Sequence, residues 1–180
     1  DAEGTLDERE LMHNCIFLLN AGHETTTNLI GNGLDTLLTH RDQFDRLLAD
    51  PALINPAVEE LLRFESPLQL NNRRLLQPLA IHDRTLPAGT FVTLGIGAAN
   101  RDPRRYPDPD TFDIGRDNIS HVTFGKGLHY CLGANLARLE GRVALDELLN
   151  RWPDWGLDRD SMRLAPTSTV RGWEELRITF

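Results

Sequence analysis

Apolar positions recur at helical spacing through the first forty residues, at Leu11, Met12, Cys15, Ile16, Leu18 and Leu19, then at Leu29, Ile30, Leu34, Leu37 and Leu38. Apolar side chains occupy most faces between Cys15 and Leu19, so the pattern predicts one long, buried helix with Cys15 as a packing residue. Thr5-Leu-Asp-Glu8 reads as a capping box that starts this helix near Leu6. A shorter helix is expected over 42–48. Asn55 as N-cap, with Pro56 at the first helical position, opens a third helix that runs to about Phe64 and stops before Ser66-Pro67. Strand signals follow at 68–76, 79–82 and 90–94, with a turn at Pro87-Ala-Gly89. The stretch 100–121 is rich in Asp, Pro, Arg and Gly and reads as a long ordered loop, of the kind that carries function. Leu132, Leu136, Leu139 and Val143, spaced by four, three and four, predict a further helix ending near Trp152-Pro153. Weak strand signals near Val170 and over 176–180 close the chain. The expected class is mainly α with small β-sheets.

Composition narrows the class. A chain of 180 residues is long enough for one domain with a real core, and its net charge of -8 argues against general nucleic-acid affinity. The two cysteines, Cys15 and Cys131, are far apart, which does not suggest an oxidising compartment. No apolar run is long enough to span a bilayer and no basic-then-apolar leader is present, so a cytoplasmic protein with no membrane partner is expected. The chain opens at Asp1 in a charged stretch that leads straight into a helix, which reads as the middle of something longer. Lys126 is the only lysine, and with Arg138 and Arg142 it forms a basic surface on an acidic chain. That surface suits an acidic docking partner; solvated helix positions explain it equally well.

Three constellations carry candidate chemistry. In Phe124-Gly-Lys-Gly-Leu-His-Tyr-Cys131-Leu-Gly133 a single cysteine sits in a glycine-rich loop just ahead of a helix. With no second cysteine nearby, disulfide, CxxC redox and Cys-rich zinc readings lose support. A lone cysteine is more often a small buried hydrophobe. Here Gly125, Gly127 and Gly133 imply positive φ or close backbone approach to something flat or bulky, and a helix N-terminus lowers a thiol pKa. In Ala21-Gly-His-Glu-Thr-Thr-Thr27, Gly22 and the threonines are expected to interrupt the long helix, threonine hydroxyls bonding back to carbonyls one turn earlier. Glu24 beside Thr25 places an acid and a hydroxyl in an apolar segment. A buried acid must be paired, a pattern that suits proton delivery; a polar, solvent-facing turn is the plainer alternative. Glu60-Leu-Leu-Arg63 lies roughly opposite the stripe Val58, Leu61 and Leu62, and by periodicity alone is a surface ion pair worth about 0.2–0.5 kcal/mol.

The pattern Phe-x-x-Gly-x-x-x-Cys-x-Gly resembles the haem-binding loop of the cytochrome P450 family. The segments 21–25, Glu60–Arg63 and Phe112–Arg116 resemble that family's oxygen-activation, Glu-x-x-Arg and network segments, in the family's order. The resemblance implies haem b with the Cys131 thiolate as axial ligand of its iron. Phe124, Gly125, Gly127 and Gly133 would shape the loop. Arg73 and His129 would pair with the haem propionates, with Arg74 as the adjacent rival and His121 at a position of less defined role. Thr25 becomes the oxygen-activation hydroxyl and Glu24 the acid of the proton relay, a Glu where many relatives carry Asp. Glu60, Arg63 and Arg116 become a buried network covered by the long loop.

The implied activity is monooxygenation. One atom of dioxygen enters a small, hydrophobic substrate and the other leaves as water, with electrons from NAD(P)H through a redox partner of ferredoxin type. Residues near Ala21 and Thr25, with 68–72 and 169–172, would line the pocket. The resemblance covers essentially all of 1–180, read as a single partial domain: the C-terminal portion of the cytochrome P450 fold in a bacterial-type member, without the N-terminal half. The alternative is a truncated, non-catalytic fragment that binds haem or a partner. A cysteine hydrolase built on Cys131 lacks an orienting partner for its histidine.

Overall fold

The computed structural model describes Gly4 and residues 6–179. A long helix α1 (Glu8–Thr39) is followed by α2 (Arg41–Ala49), a 3₁₀ turn at Pro51–Leu53 and α3 (Ile54–Phe64). Eight short strands and a one-turn helix α4 (Ile96–Ala99) surround the long loop, and α5 (Ala134–Arg151) follows the cysteine segment.

The N-cap of α1 is Asp7. Its carboxylate accepts the Glu10 N–H at 2.7 Å and the Glu10 carboxylate accepts the Asp7 N–H at 3.0 Å. This is the expected box displaced by two residues, because Asp7 and Glu10 satisfy the same spacing rule; Thr5 lies outside the described residues. The helix is not interrupted at Gly22. It absorbs the threonines by letting Thr25 Oγ1 donate to the Ala21 carbonyl at 3.0 Å and Thr27 Oγ1 to His23 at 2.9 Å. The segment expected to be buried is also exposed: Leu11, Met12, Ile16, Phe17 and Leu18 are open, Leu19 is 70% accessible, and Cys15 is exposed rather than packed. No described element lies over that half of the helix, and burial begins at Thr26.

Asn55 does not cap α3. Asp50 accepts the Ala52 N–H at 3.1 Å with Pro51 next to it, so the same cap-then-proline signal acts five residues earlier and the helix is already under way at Asn55. It ends at Phe64, before Ser66-Pro67. Antiparallel strands β1 (Leu70–Arg74) and β4 (Phe91–Gly95) pair with Leu70 opposite Gly95 and Arg74 opposite Phe91. Between them β2 (Leu79–Ile81) and β3 (Arg84–Leu86) form a small hairpin, turning at His82 with φ 52°. The last segment forms β5 (Gly156–Leu157), β6 (Arg163–Leu164), β7 (Trp173–Glu175) and β8 (Ile178–Thr179), paired β5 with β8 and β6 with β7. Val170 bridges to Leu68. The strands β3, β5 and β6, two or three residues each, are too short to leave a period-2 signal.

The core lies where α1, α2, α3 and α5 meet, built from Leu29, Leu34, Leu37, Phe44, Leu47, Val58, Leu61 and Leu145 with Phe112, Ile114 and Trp155 from the loops. The face that α5 presents to it is not the Leu132–Val143 stripe. Those residues are exposed, and Ala134, Gly141 and Leu145 are the buried ones. The physical reason is close approach: a Cβ at Gly141 would sit 3.1 Å from Leu29 Cδ2 and 3.5 Å from Val58 Cγ1, so small residues let α5 reach both α1 and α3. Gly141→Leu is therefore expected to destabilise by about 1–3 kcal/mol through overpacking, despite a better helix propensity, which a urea midpoint comparison with wild type measures.

Candidate active site

Glu60 and Arg63 are both 0% exposed, so periodicity misplaced them on the surface. Arg63 Nε and Nη2 each donate to Glu60 carboxylate oxygens at 2.7 Å, a bidentate fork. The remaining guanidinium hydrogens go to loop carbonyls, Nη1 to Asn100 at 3.0 Å and Pro109 at 2.8 Å, and Nη2 to Thr111 at 3.2 Å. Arg116 Nε donates to Glu60 Oε1 at 3.2 Å, as does the Asp113 N–H at 3.1 Å. Arg116 also fastens the loop to itself through the carbonyls of Pro107, Asp108 and Thr111. The long loop thus covers α3 because its carbonyls satisfy a buried cation that would otherwise be costly.

Asn100, buried at the end of α4, carries this network toward the cysteine segment. Its carbonyl accepts from Arg63, its Oδ1 accepts the Val122 N–H at 2.8 Å, and its Nδ2 donates to Thr123 Oγ1 at 2.9 Å. Thr123 Oγ1 in turn donates to the Leu62 carbonyl at 2.7 Å. Thr123 immediately precedes Phe124, so the backbone entering the loop is pinned to α3. Neither Asn100 nor Thr123 is legible as a site residue in the sequence; an Asn that ends a helix next to a polar loop is an ordinary capping signal.

The loop itself is built as its glycines demand. Gly125 and Gly127 have φ of +72° and +67°, a region L side chains rarely adopt, whereas Gly133 has an ordinary φ of -86°. The Cys131 N–H donates to the Phe124 carbonyl at 2.8 Å, and Gly127–His129 forms a 3₁₀ turn between them. Gly133 is the N-cap of α5. Cys131 is exposed, so it is not the small buried hydrophobe a lone cysteine more often is, and no described residue covers it. A Cβ at Gly133 or Gly127 would meet nothing within 4 Å, and Leu128 and Leu132 beside the cysteine are 104% and 88% accessible. A lone thiol next to open space and uncovered leucines fits a large apolar group with a metal that brings its other ligands along, which is the donor requirement of haem. Among the described residues no group of three or more His, Cys, Asp or Glu is gathered to hold a metal ion.

A second acidic centre, unforeseen in the sequence, stands beside this loop. Glu59 on α3 accepts Arg138 Nε at 2.5 Å and Nη2 at 3.1 Å, and its Oε2 lies 3.1 Å from His121 Nε2. The Thr123 N–H donates to His121 Nδ1 at 3.3 Å, which leaves the proton on Nε2 to face Glu59. Burial pushes the Glu59 carboxyl up, but hydrogen bonds from His121 and Arg138 outweigh it and hold the group at about 2. Two consecutive glutamates on one helix, each facing a different arginine, were the available signal.

The other candidates are not joined to Cys131 by any hydrogen bond or ion pair among the described residues. Thr25 is half-buried and bonded back to Ala21; Glu24 is exposed, so the premise of a buried, paired acid fails. Alternation along β1 does separate Arg73 from Arg74: Arg73 is half-buried, donating to Asn71 Oδ1 at 3.0 Å and the Asn72 carbonyl at 2.8 Å, while Arg74 is exposed near Phe91. His129 is exposed in its 3₁₀ turn. Of the three basic residues read as a docking surface, Lys126 and Arg142 are exposed and Arg138 is committed to Glu59.

A long helix carrying an acid–threonine pair, a buried Glu–Arg network and a single-cysteine glycine loop follow one another in the order that the cytochrome P450 resemblance implies. The profile of the cytochrome P450 family matches residues 1–153. The chain belongs to the cytochrome P450 family, and the family implies a haem cofactor. It is 44% identical to the cytochrome P450 monooxygenase PikC of Streptomyces venezuelae, over 99% of this chain and 44% of that protein. It is 48% identical to the vitamin D(3) 25-hydroxylase of Pseudonocardia autotrophica, over 97% of this chain and 44% of that protein. The crystal structure of P450BioI, in complex with acyl carrier protein ligated to hexadec-9Z-enoic acid, superposes with a TM-score of 0.94 at 45% identity, covering 98% of this chain and 46% of that one. The chain thus spans less than half the length of these relatives. No helix of the described residues is long and apolar enough to cross a membrane.

The low Glu59 value sets a pH window. A carboxyl whose pKa falls from 4.5 to about 2 on folding adds stability that is fully present above 4.5 and lost as pH falls toward 2. In urea unfolding the stability gap between wild type and Glu59→Gln is expected to narrow progressively as pH falls from 4.5 toward 2; an unchanged gap at pH 3 would contradict the assignment.

Proposed function

We propose that this chain supplies the thiolate-bearing portion of a monooxygenase that inserts one atom of dioxygen into a hydrophobic organic substrate. The observation that carries the reading is the exposed Cys131 on a loop with two positive-φ glycines, pinned through Thr123 and Asn100 to the buried Glu60–Arg63–Arg116 network. Cys131 would ligate the haem iron, with Arg73 and His129 as partners for the propionates and Phe124 beside the sulfur-bearing turn. Haem, when bound, supplies the activation of dioxygen, and a thiolate ligand favours O–O cleavage.

This chain's own residues then govern protons, water and the substrate. Thr25 presents a hydroxyl on α1 that donates to the Ala21 carbonyl at 3.0 Å, and Glu24, exposed on the same turn, would be the acid of the proton path. Leu70, Leu164 and Val170 line a recess together with the polar Gln69, Ser168 and Arg171. Its wall is fixed by Asn32 of α1, which donates to the Arg171 carbonyl at 2.9 Å, and by the Gln69 N–H, which donates to Thr169 at 2.9 Å. Apolar substrates are consistent with relatives named for acting on vitamin D(3) and 6-deoxyerythronolide B.

Electrons come from NAD(P)H through an acidic, ferredoxin-type donor, which Lys126 and Arg142 are free to meet. The chain spans 44% of PikC, and its Leu11–Leu19 segment and the Leu132, Leu136, Leu139 and Val143 stripe are uncovered apolar surfaces among the described residues. The same exposure supports a second reading, a non-catalytic haem- or partner-binding fragment. Product formation by the haem-loaded protein with a reductase system separates the two.

Cys131→Ala is expected to abolish the strongly red-shifted Soret band of the reduced, carbon-monoxide-bound protein; a retained thiolate-type band would remove Cys131 from the iron. Thr25→Ala is expected to keep that band while reductant consumption per product rises several-fold, and unchanged coupling would remove Thr25 from the proton path.

A further inference from the structure

Both flanks of the cysteine segment converge on one carboxylate. His121 lies before the loop and Arg138 lies on α5 after it, and both bind Glu59 of α3, His121 Nε2 at 3.1 Å and Arg138 at 2.5 and 3.1 Å. The same two residues enclose Phe124. The Arg138 guanidinium lies over the Phe124 ring at 4.5 Å, and the His121 ring packs against it with centroids 5.6 Å apart. Arg138 Nη1 also lies 3.3 Å from the Tyr130 hydroxyl. Phe124 then holds Cys131 through its carbonyl. Resting on the reading of Cys131 as the haem ligand, we propose that Glu59 is a positioning residue for Cys131, acting through Arg138 and His121 to close the segment 121–138 into a braced loop.

Bringing the two ends of a flexible segment together costs chain entropy, and a partner that binds both ends meets that cost once, in the folded state. The Glu60 network holds only the entering flank, through Thr123. Without Glu59 the leaving flank keeps the packing of α5 on α3 but loses its ion-pair tie to α3, and Phe124 loses the anchored cation over its face. Arg138 suits the task because its fork engages both carboxylate oxygens while its plane covers the ring, two contacts a lysine cannot make together. The brace is local. The core beneath is apolar and contains neither Glu59 nor Arg138. Its loss should therefore free the cysteine loop before it unfolds the helices.

The test uses the haem-loaded protein, reduced and carbon-monoxide-bound, in urea below the unfolding transition, with far-UV circular dichroism followed in parallel. Glu59→Gln and Arg138→Ala are expected to convert from the thiolate to the non-thiolate Soret band at least threefold faster than wild type while helical dichroism stays unchanged. Arg138→Lys falls between them and wild type. Arg151→Ala, which removes the exposed Arg151–Glu147 pair at the far end of α5, converts at the wild-type rate. Conversion of Glu59→Gln and Arg138→Ala at less than three times the wild-type rate overturns the proposal. So does accelerated conversion accompanied by equal loss of helix. Should Arg138→Ala fail to fold, Glu59→Gln and His121→Asn carry the same threshold. A wild-type protein without a thiolate band overturns the ligation reading itself, an outcome distinct from a wild-type band whose lifetime the variants leave unchanged.

Discussion

The burial of one ion pair organises this chain. Glu60 and Arg63 are withdrawn completely from water, and such a pair persists only when every remaining donor and acceptor is satisfied. Arg63 therefore recruits the carbonyls of Asn100, Pro109 and Thr111, and Glu60 recruits Arg116 and the Asp113 N–H. A loop that looks irregular in sequence becomes fixed in space, since removing either partner would leave a buried charge at a cost of about 3–5 kcal/mol. Phe112 and Ile114, carried by that loop, then seal the core from its side. The cysteine segment inherits its position from the same source through Asn100 and Thr123.

Much of the scaffold is legible from periodicity. The long first helix, the helix stop before Ser66-Pro67, the strands at Leu70–Arg74 and Phe91–Gly95, and the helix after Cys131 all follow from spacing and from Gly and Pro punctuation. What periodicity misread was burial. It placed Leu11–Leu19 inside, where the structure leaves them open, and it placed Glu60 and Arg63 outside, where the structure buries them. Both errors have one cause. An apolar stripe shows that a face can be covered, not that anything described here covers it, and a charged pair looks solvated unless the loop whose carbonyls solvate it is visible in the pattern.

The site residues divide in the same way. The glycine loop and its cysteine announce themselves because positive φ at Gly125 and Gly127 leaves a sequence signature. Glu59 is marked only by its place beside Glu60, Asn100 only by a capping signal and Thr123 by nothing, since their roles lie in pairings across long sequence separations. Gly133 is instructive, with neither a strained backbone nor a neighbour that forbids a side chain. Its place as the N-cap of α5 is one at which glycine is favoured. Glu24 is open to solvent and Cys131 is uncovered among the described residues.

Iron-edge X-ray absorption on the ferric, haem-loaded protein tests the central claim most directly. The account predicts one sulfur scatterer in the first coordination shell of iron in wild type, absent in Cys131→Ala. A first shell of nitrogen and oxygen alone in the wild-type protein would contradict it.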